Sequence, residues 1–402
     1  MRIINSGKRS EIKKIMHDIG VDPYGAEIML KKAINFLILL KDVNNIAANI
    51  LKQEMLSLGA DAAIARGSLT GSVKKTDVLL IGSFCQFDSL KAKLQQQPFG
   101  LKKIGLELEA GIKKYNQSNF ILALRNRSLN LSKKTHIMGI INLTSDSFSG
   151  DGLYKQRCPG YINLALKRAQ EMTLDGADII DLGGQSSRPG AKTISAKEEL
   201  LRILPVVKLL AKKIKTPISI DTEKPEVARA AIDNGAQIIN DISGLRNKQM
   251  VKIVAKSKSA VVIMHMLGKP INMQKVIAYR SLIDDISIYL KNAINLAQAQ
   301  GIAPDKIIID PGLGFGKTPG QNLQIIKNLA DFKILGKPIL TGPSRKSFIG
   351  NLLGDNLEDR ITGTLASCIV SAQNGASIVR VHDVKVIKQA LTMAEGIENA
   401  DK

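Results

Sequence analysis

Carboxylate and amide side chains end three short apolar runs in this 402-residue sequence. Asp221 and Asp310 each follow a run rich in Ile, and Asn240 follows another. A carboxylate can accept two parallel N–H donors from a flat amino-substituted heterocycle, much as it accepts them from arginine. Lys346 could donate to a carbonyl of such a ring. A metal site or an acid–base pair is the alternative, although no His-rich ligand set accompanies the carboxylates. Asp221 could also simply cap the helix that is predicted after it.

Positive charge collects near the end of the chain. Lys346, Arg380 and His382 follow the last two apolar runs, and Arg188 adds a fourth basic group. The turn at residues 344–347 leads into a predicted helix, whose first N–H groups favour a bound anion. These features indicate a phosphate or pyrophosphate on the ligand. The alternative for the turn alone is a solvated pair of surface charges.

A glycine-rich segment, Gly312–Thr318, is similar at first sight to a phosphate-binding P-loop. That motif needs a glycine five residues before its Gly-Lys-Thr glycine, and Pro311 stands there instead. We interpret the glycines as a tight loop that lets a flat ligand approach the backbone.

Eight short apolar runs alternate with amphipathic helical patterns from about residue 136 onward. The runs are His136–Thr144, Asp178–Gly184, Pro217–Asp221, Gln237–Ser243, Ala260–Met266, Lys306–Pro311, Pro338–Ser344 and Ser377–Asp383. They are rich in Ile and Val without strict alternation, as expected of parallel strands that are buried on both faces. Eight β-then-α units predict an α/β fold, a (β/α)₈ TIM barrel, with the active site at the carboxyl ends of its strands. A doubly wound open sheet is the competing fold.

Residues 1–130 lack this rhythm and are predicted to form a smaller N-terminal α/β domain, with the barrel spanning residues 134–398. Within the first domain, Ala33–Leu56 is predicted as one long helix, Asp77–Gly82 as a strand and Ser89–Gln96 as a helix. The polar stretch Arg125–Lys134 is the predicted linker. The role of this domain is not apparent from the sequence. Our hypothesis is that it stabilises the barrel or an oligomer contact, and deletion of residues 1–130 tests it.

Composition narrows the setting in which the protein works. The formal net charge is +21, spread along the chain, which suits anionic substrates. Nucleic-acid binding would be salt-sensitive, and we do not expect it because the charge is diffuse and aromatics are few. Three widely spaced cysteines predict reduced thiols in a cytoplasmic protein. The longest apolar run is too short to span a bilayer and no signal peptide is expected, so we expect no membrane association.

Seven segments of the chain resemble the successive motifs of the dihydropteroate synthase family, in the family's order. They are MGIINLTSDSFSGDG, DIIDLGGQSSRPGA, ISIDTEKPEVARAAIDNGAQIINDISG, IMHM, IIIDPGLGFGKTPGQNL, GPSRKSFIG and IVRVHDV. The resemblance covers about residues 134–398. It implies condensation of 6-hydroxymethyl-7,8-dihydropterin pyrophosphate with p-aminobenzoate, giving 7,8-dihydropteroate and pyrophosphate in folate biosynthesis. It also implies Mg²⁺ as cofactor and a homodimer formed through the barrel.

The resemblance also implies roles for particular residues. The pterin would be held by Asp221, Asn240, Asp310 and Lys346, with Met264, Phe315 and Gly342 beside it. Pyrophosphate would bind Asn142 through Mg²⁺, together with Arg380 and His382. The p-aminobenzoate pocket would use Phe148, Ser187, Arg188 and Pro189, and Ser347 would contact that substrate's carboxylate. The family reaction is dissociative: pyrophosphate leaves first and the arylamine attacks a pterin cation.

Two loops depart from the family pattern. Ser145 stands where the family has proline, and Gln185-Ser186-Ser187 replaces Glu-Ser-Thr. These changes bear on p-aminobenzoate affinity and sulfonamide sensitivity more than on the reaction. The order Gly150-Asp151 leaves open which residue corresponds to the family's aspartate in the first loop. The rival function is a pterin-binding methyltransferase of the methyltetrahydrofolate type, which would not need the Lys346 turn or the Arg380 and His382 site.

Overall fold

The computed structural model describes residues 1–4, 9–144, 152–154, 160–187, 193–268, 273–274, 277–354 and 356–400. The chain forms two compact units, Met1–Lys113 and Lys114–Lys402. This boundary precedes the predicted one, and the domain division at 130 and 134 stays a prediction. Among the described residues, no helix is both long and apolar enough to cross a membrane.

The first unit is a three-stranded antiparallel sheet with helices. Its strands are β1 (Asn35–Asn44), β2 (Asp61–Ile64) and β3 (Lys75–Ser83), in the order β1-β3-β2. Its helices are α1 (Arg9–Asp18), α2 (Pro23–Ala33), α3 (Asn45–Ser57), α4 (Gly67–Thr70), α5 (Phe84–Leu94) and α6 (Leu101–Tyr115), the last of which crosses the boundary between the units. The predicted strand Asp77–Gly82 lies within β3, and the predicted helix Ser89–Gln96 overlaps α5.

The prediction of one helix over Ala33–Leu56 is wrong, because the segment contains β1 followed by α3. Residues of β1 from Phe36 to Leu40 pair in register with β3, so every second side chain faces the helices and the others are exposed. Asn44 ends the strand and caps α3 by accepting a hydrogen bond from the N–H of Ile46. A short apolar run fits both the helical spacing and the alternating spacing of a strand, and pairing with β3 decides in favour of a strand.

The predicted linker Arg125–Lys134 is also wrong in part, because it contains the second strand of a hairpin. The hairpin consists of β4 (Ile121–Ala123) and β5 (Ser128–Asn130). Its Leu122, Leu124 and Leu131 are buried in one cluster with residues from the amino-terminal halves of barrel strands. The hairpin therefore closes the bottom of the barrel, which polar composition alone could not indicate.

The second unit is a closed barrel of eight parallel strands, as the sequence predicts. They run in the order β10-β11-β12-β13-β6-β7-β8-β9. The strands are β6 (His136–Asn142), β7 (Ile179–Gly183), β8 (Ile218–Asp221), β9 (Ile238–Asp241), β10 (Ala260–Met264), β11 (Ile307–Asp310), β12 (Ile339–Thr341) and β13 (Ala376–Val381). Seven lie inside the predicted apolar runs, and β13 begins one residue before its run.

Helices alternate with these strands and cover the barrel. They are α7 (Gly160–Leu174), α8 (Ala196–Lys213), α9 (Pro225–Asp233), α10 (Lys248–Ser257), α11 (Leu282–Ala299), α12 (Pro319–Lys327), α13 (Ser347–Leu353), α14 (Leu357–Gln373) and α15 (Val384–Glu398). Aliphatic residues fill the space between helices and strands and also the barrel interior. Because both faces of the strands are buried, polar side chains are confined mainly to the strand ends, where a site can form.

The β4–β5 hairpin, which closes the bottom of the barrel as a plug, gives a first prediction. Leu122→Ala should lower the free energy of unfolding of the barrel by about 2 to 5 kcal/mol, because it leaves a cavity among buried aliphatic side chains. The change is measured as a shift of the barrel's thermal transition in calorimetry. Leu174→Ala, at a largely exposed position, is the matched control and should change stability by roughly 0.5 kcal/mol or less. Equal effects of the two substitutions would contradict the plug.

Candidate active site

The guanidinium of Arg380 on β13 joins carboxylates from two other strands at the mouth of the barrel. The Nε of Arg380 donates to Asp181 Oδ2 at 2.6 Å, and its Nη2 donates to Asp221 Oδ2 at 2.9 Å. Asn240 donates from Nδ2 to the same oxygen of Asp181 at 3.3 Å. These residues belong to β13, β7, β8 and β9, so closure of the barrel is what brings them together.

Burial and charge act in opposite directions on this cluster. Burial raises the pKa of Asp221 to about 7, although the Arg380 guanidinium beside it acts to lower it. Burial alone would lower the pKa of Arg380, but Asp181 and Asp221 outweigh that effect and raise it. Arg380 therefore stays charged while Asp221 can change protonation near neutral pH. A ligand that donates hydrogen bonds to Asp221 would favour its ionised form.

A second acid and base are Asp310, the last residue of β11, and Lys346, the residue that precedes α13. Asp310 accepts a hydrogen bond at Oδ1 from the N–H of Gly312 at 2.7 Å, and burial raises its pKa against the charge of Lys346. Burial lowers the pKa of Lys346 to about 8, with Asp310 opposing the shift. The ammonium group lies 4.5 Å from the ring centroid of Phe315 and also donates to the carbonyl of Leu313.

The two clusters share one electrostatic environment. Lys346 acts on the pKa of Asp221, and Arg380 acts on the pKa of Asp310. The four charged residues predicted from the ends of distant apolar runs are therefore brought together. Their combination of two acids and two bases can hold a ligand that carries both N–H donors and anionic groups.

Glycines shape the loop after β11. Gly312 has φ 72°, and a Cβ there would lie 2.0 Å from the carbonyl oxygen of His265. Gly314 has φ 81°, and its Cβ would approach Lys346 Cδ to 3.0 Å. Only glycine adopts this backbone without strain and clash. The loop is thus tight and lies against Lys346, as the sequence analysis expected of these glycines.

A buried lysine that the sequence analysis gave no role lies in the same loop. Lys317 donates from Nζ to the carbonyl of Phe315 at 3.0 Å and lies 3.0 Å from His265 Nδ1. Burial lowers the pKa of Lys317 to about 7 and that of His265 to about 2, so the histidine is neutral. The pair fixes the backbone that presents Phe315.

The predicted pyrophosphate end contains a chain of polar contacts. His382 Nδ1 lies 2.9 Å from Ser344 Oγ, and its Nε2 lies 3.4 Å from Asn142 Nδ2. Arg345, in the same turn as Ser344, donates from Nε to Asp383 at 2.9 Å. The charge of Arg345 is therefore matched by Asp383, which follows β13, whereas Lys346 reaches the site.

The remaining predicted residues fall into three groups. Met264 is buried in a small apolar cluster against which Phe315 packs, and Gly342 lies beside Arg380, where a Cβ would be 3.7 Å from Arg380 Cβ. Ser187 is partly buried, and Ser347 is exposed as the first residue of α13. Phe148, Arg188 and Pro189 lie outside the described residues.

Asp181 is the main residue of the site that sequence reasoning missed. It was included in an apolar run as part of a strand, yet it is fully buried and binds both Arg380 and Asn240. An aspartate in the middle of a buried strand is itself a signal, because an acid is almost never fully buried without a partner.

The chain is similar to known proteins along the whole barrel. The family model described as "Pterin binding enzyme" matches residues 138–382. The dihydropteroate synthase of Synechocystis sp. is 42% identical over 267 residues, which are 66% of this chain and 91% of that protein. A solved structure of Yersinia pestis dihydropteroate synthase with a sulfonamide drug superposes with a TM-score of 0.66 and 39% identity, covering 70% of this chain and all of that one.

One relative also matches beyond the barrel. A Halobacterium salinarum protein, named as a bifunctional folylpolyglutamate synthase/dihydropteroate synthase, is 34% identical over 377 residues. The match covers 93% of this chain and 44% of that protein. Most of the first unit therefore has a counterpart in a longer relative, so the unit is not peculiar to this chain.

Proposed function

The chain belongs to the pterin-binding enzymes and, within them, to the dihydropteroate synthases, and from this premise we propose how its residues carry the reaction. The enzyme is a transferase that condenses 6-hydroxymethyl-7,8-dihydropterin pyrophosphate with p-aminobenzoate to 7,8-dihydropteroate and pyrophosphate. The observation that carries the assignment of roles is the meeting of Asp221, Asp310, Lys346 and Arg380 at one mouth.

The pterin ring is held by the acids and by Lys346. Asp310 and Asp221 accept N–H donors of the amino-pyrimidine edge, and Lys346 donates to the ring carbonyl. Asn240 adds a further polar contact, and the ring packs beside Met264 and Phe315. In support, Asp181 Oδ1 and Asn240 Oδ1 are buried acceptors that receive no hydrogen bond from the described part of the chain. Unsatisfied buried acceptors favour a bound molecule that donates.

The leaving pyrophosphate is held by Arg380 and His382. The C–O bond between the pterin methylene and pyrophosphate breaks first, and the bonding electrons leave with pyrophosphate. The amino nitrogen of p-aminobenzoate then attacks the pterin cation and releases one proton as the C–N bond forms. Preorganised charges suit this reaction, because cations stabilise the leaving anion while carboxylates stabilise the ring cation. The arylamine lies near Ser187 and Ser347, with Phe148, Arg188 and Pro189 contributing from the two loops.

The residues present fit a magnesium ion that is shared with the pyrophosphate. Mg²⁺ prefers oxygen ligands and is usually held by one or two protein groups together with substrate phosphates and water. Asn142 is one such group, and no cluster of three or more His, Cys, Asp or Glu suited to a metal occurs among the described residues. Asn142 would hold the ion, which when bound supplies neutralisation of the leaving pyrophosphate.

The proposal extends to assembly as a homodimer through the barrel. Large apolar side chains are exposed on the last helices, among them Leu352 of α13, Val370 of α14 and Met393 of α15. Light scattering should give about twice the chain mass of 43.6 kDa. Met393→Glu should shift the population toward monomer, while Leu296→Glu on α11 should not. A purely monomeric protein would contradict this part of the proposal.

Lys346→Ala should reduce turnover by about a hundredfold or more, because it removes a partly buried cation beside the pterin and Asp310. The rate is measured as p-aminobenzoate-dependent release of pyrophosphate. Lys291→Ala, at an exposed position on α11, is the matched control and should leave the rate unchanged. Near-normal turnover of the Lys346 variant would count against the pterin assignment.

Binding of the pterin should weaken as the pH falls below about 7. Burial raises the pKa of Asp221 to about 7, and only the ionised carboxylate accepts both ring donors. The association constant of 6-hydroxymethylpterin, measured by calorimetry between pH 7.5 and 5.5, should fall by up to about tenfold per pH unit. Asp221→Asn should bind more weakly and lose most of this dependence. An unchanged pH profile in that variant would show that Asp221 is not the titrating group.

A further inference from the structure

The side-chain oxygen of Gln185 joins three separate segments beside the mouth of the barrel. Gln185 lies two residues after the end of β7. Its Oε1 accepts a hydrogen bond from the N–H of Ile194 at 3.0 Å and another from Lys224 Nζ at 2.6 Å. Ile194 directly precedes Ser195, the residue that caps α8. One amide oxygen thus connects two residues that are nine positions apart in the chain and ties both to the start of α9.

The lysine that binds Gln185 is itself fixed in place. Lys224 is the cap residue of α9, and its Nζ also contacts Glu199 Oε2 on α8 at 2.5 Å. Glu199 is only 1% exposed, and the side chain of Lys224 is 18% exposed. A buried carboxylate without its cation would be costly, so Glu199 holds the ammonium group where it reaches Gln185.

The backbone next to Gln185 is held from the other side. The carbonyl of Gly184 accepts a hydrogen bond from Arg202 Nη1 on α8 at 3.0 Å. A Cβ on Gly184 would come within 2.9 Å of Glu199 Cγ and 2.8 Å of Ile203 Cδ1, so this backbone lies directly against α8. The chain leaving β7 therefore follows one path, set by Arg202 at Gly184 and by Lys224 at Gln185.

We propose that Gln185 is a positioning residue for p-aminobenzoate, acting through the two hydrogen bonds that its side-chain oxygen accepts. This inference rests on the proposed function, in which Ser187, two residues further on, belongs to the arylamine pocket. The side chain of Gln185 touches neither the acids nor the bases of the pterin cluster in any described contact. It affects the second substrate because it fixes the start of the segment that carries Ser187.

The chemistry of the contact suits glutamine and glutamate alike. Both hydrogen bonds end on one oxygen, which an amide and a carboxylate supply equally well. The charge of Lys224 is already balanced by Glu199, so the neutral amide of Gln185 can accept its hydrogen bond without changing that balance. A glutamate would add a second carboxylate but would keep both contacts.

The test compares the Michaelis constants of the two substrates in the full-length enzyme. Gln185→Leu removes the acceptor at similar volume and should raise KM for p-aminobenzoate about tenfold, because a charge-assisted contact and the Ile194 contact are both lost. KM for the pterin pyrophosphate should stay within about twofold. Gln185→Glu should restore a nearly normal KM for p-aminobenzoate. Gln324→Leu, the same change at an exposed position on α12, is the matched control.

Other outcomes would overturn the inference. If both Michaelis constants rise together in Gln185→Leu, or if only the thermal transition falls, the residue serves the fold and not the arylamine. If the leucine variant does not fold, Gln185→Ser takes its place, because serine is too short to reach Lys224. The same change in the two Michaelis constants is then expected. A parent enzyme that makes no dihydropteroate would remove the proposed function as well, whereas normal product formation with unchanged constants in both variants would remove only this inference.

Discussion

The site depends on the pairing of Arg380 with Asp181 and Asp221 inside a closed barrel. None of these charges could be buried there alone, because taking an unpaired ion out of water costs several kcal/mol. β13 is the last strand of the barrel in sequence, whereas β7 and β8 are the second and third. Their side chains meet only because β13 pairs with β6, which pairs in turn with β7, and so closes the sheet. The fold and the charge cluster therefore depend on each other. Closure of the barrel brings the charged partners together, and their pairing offsets the free-energy cost of burying them.

The same burial prepares the groups for a ligand. It raises the pKa values of Asp221 and Asp310 and lowers that of Lys346. The charged form of each group is therefore less favoured than it would be in water. A ligand with N–H donors and a carbonyl restores to each group the interactions that it lost on folding. Gly312 and Gly314 add a backbone that can approach Lys346 closely. Gln185 and Lys224 perform a similar task on the far side of the mouth, where hydrogen bonds fix the backbone.

Much of this could be predicted from the sequence, and the failures have physical reasons. Eight buried strands followed by helices leave a strong periodic signal, and polar residues at strand ends identify Asp221, Asp310, Lys346 and Arg380. The prediction failed at Ala33–Leu56, where an apolar run fits both helix and strand and pairing with β3 decides. Asp181 was missed because its partner Arg380 lies 199 residues away. The Gln185 contacts were missed because sequence spacing does not show which groups a loop side chain meets after folding; its partners Ile194 and Lys224 lie 9 and 39 residues away.

We propose that one mouth binds the pterin through its acids and the leaving pyrophosphate through its bases. The most direct measurement incubates the purified protein with both substrates and Mg²⁺ and quantifies dihydropteroate and pyrophosphate together. The account predicts that the two products appear in equal amounts and only when p-aminobenzoate is present. Failure to form dihydropteroate, or methyl transfer from methyltetrahydrofolate in its place, would contradict it.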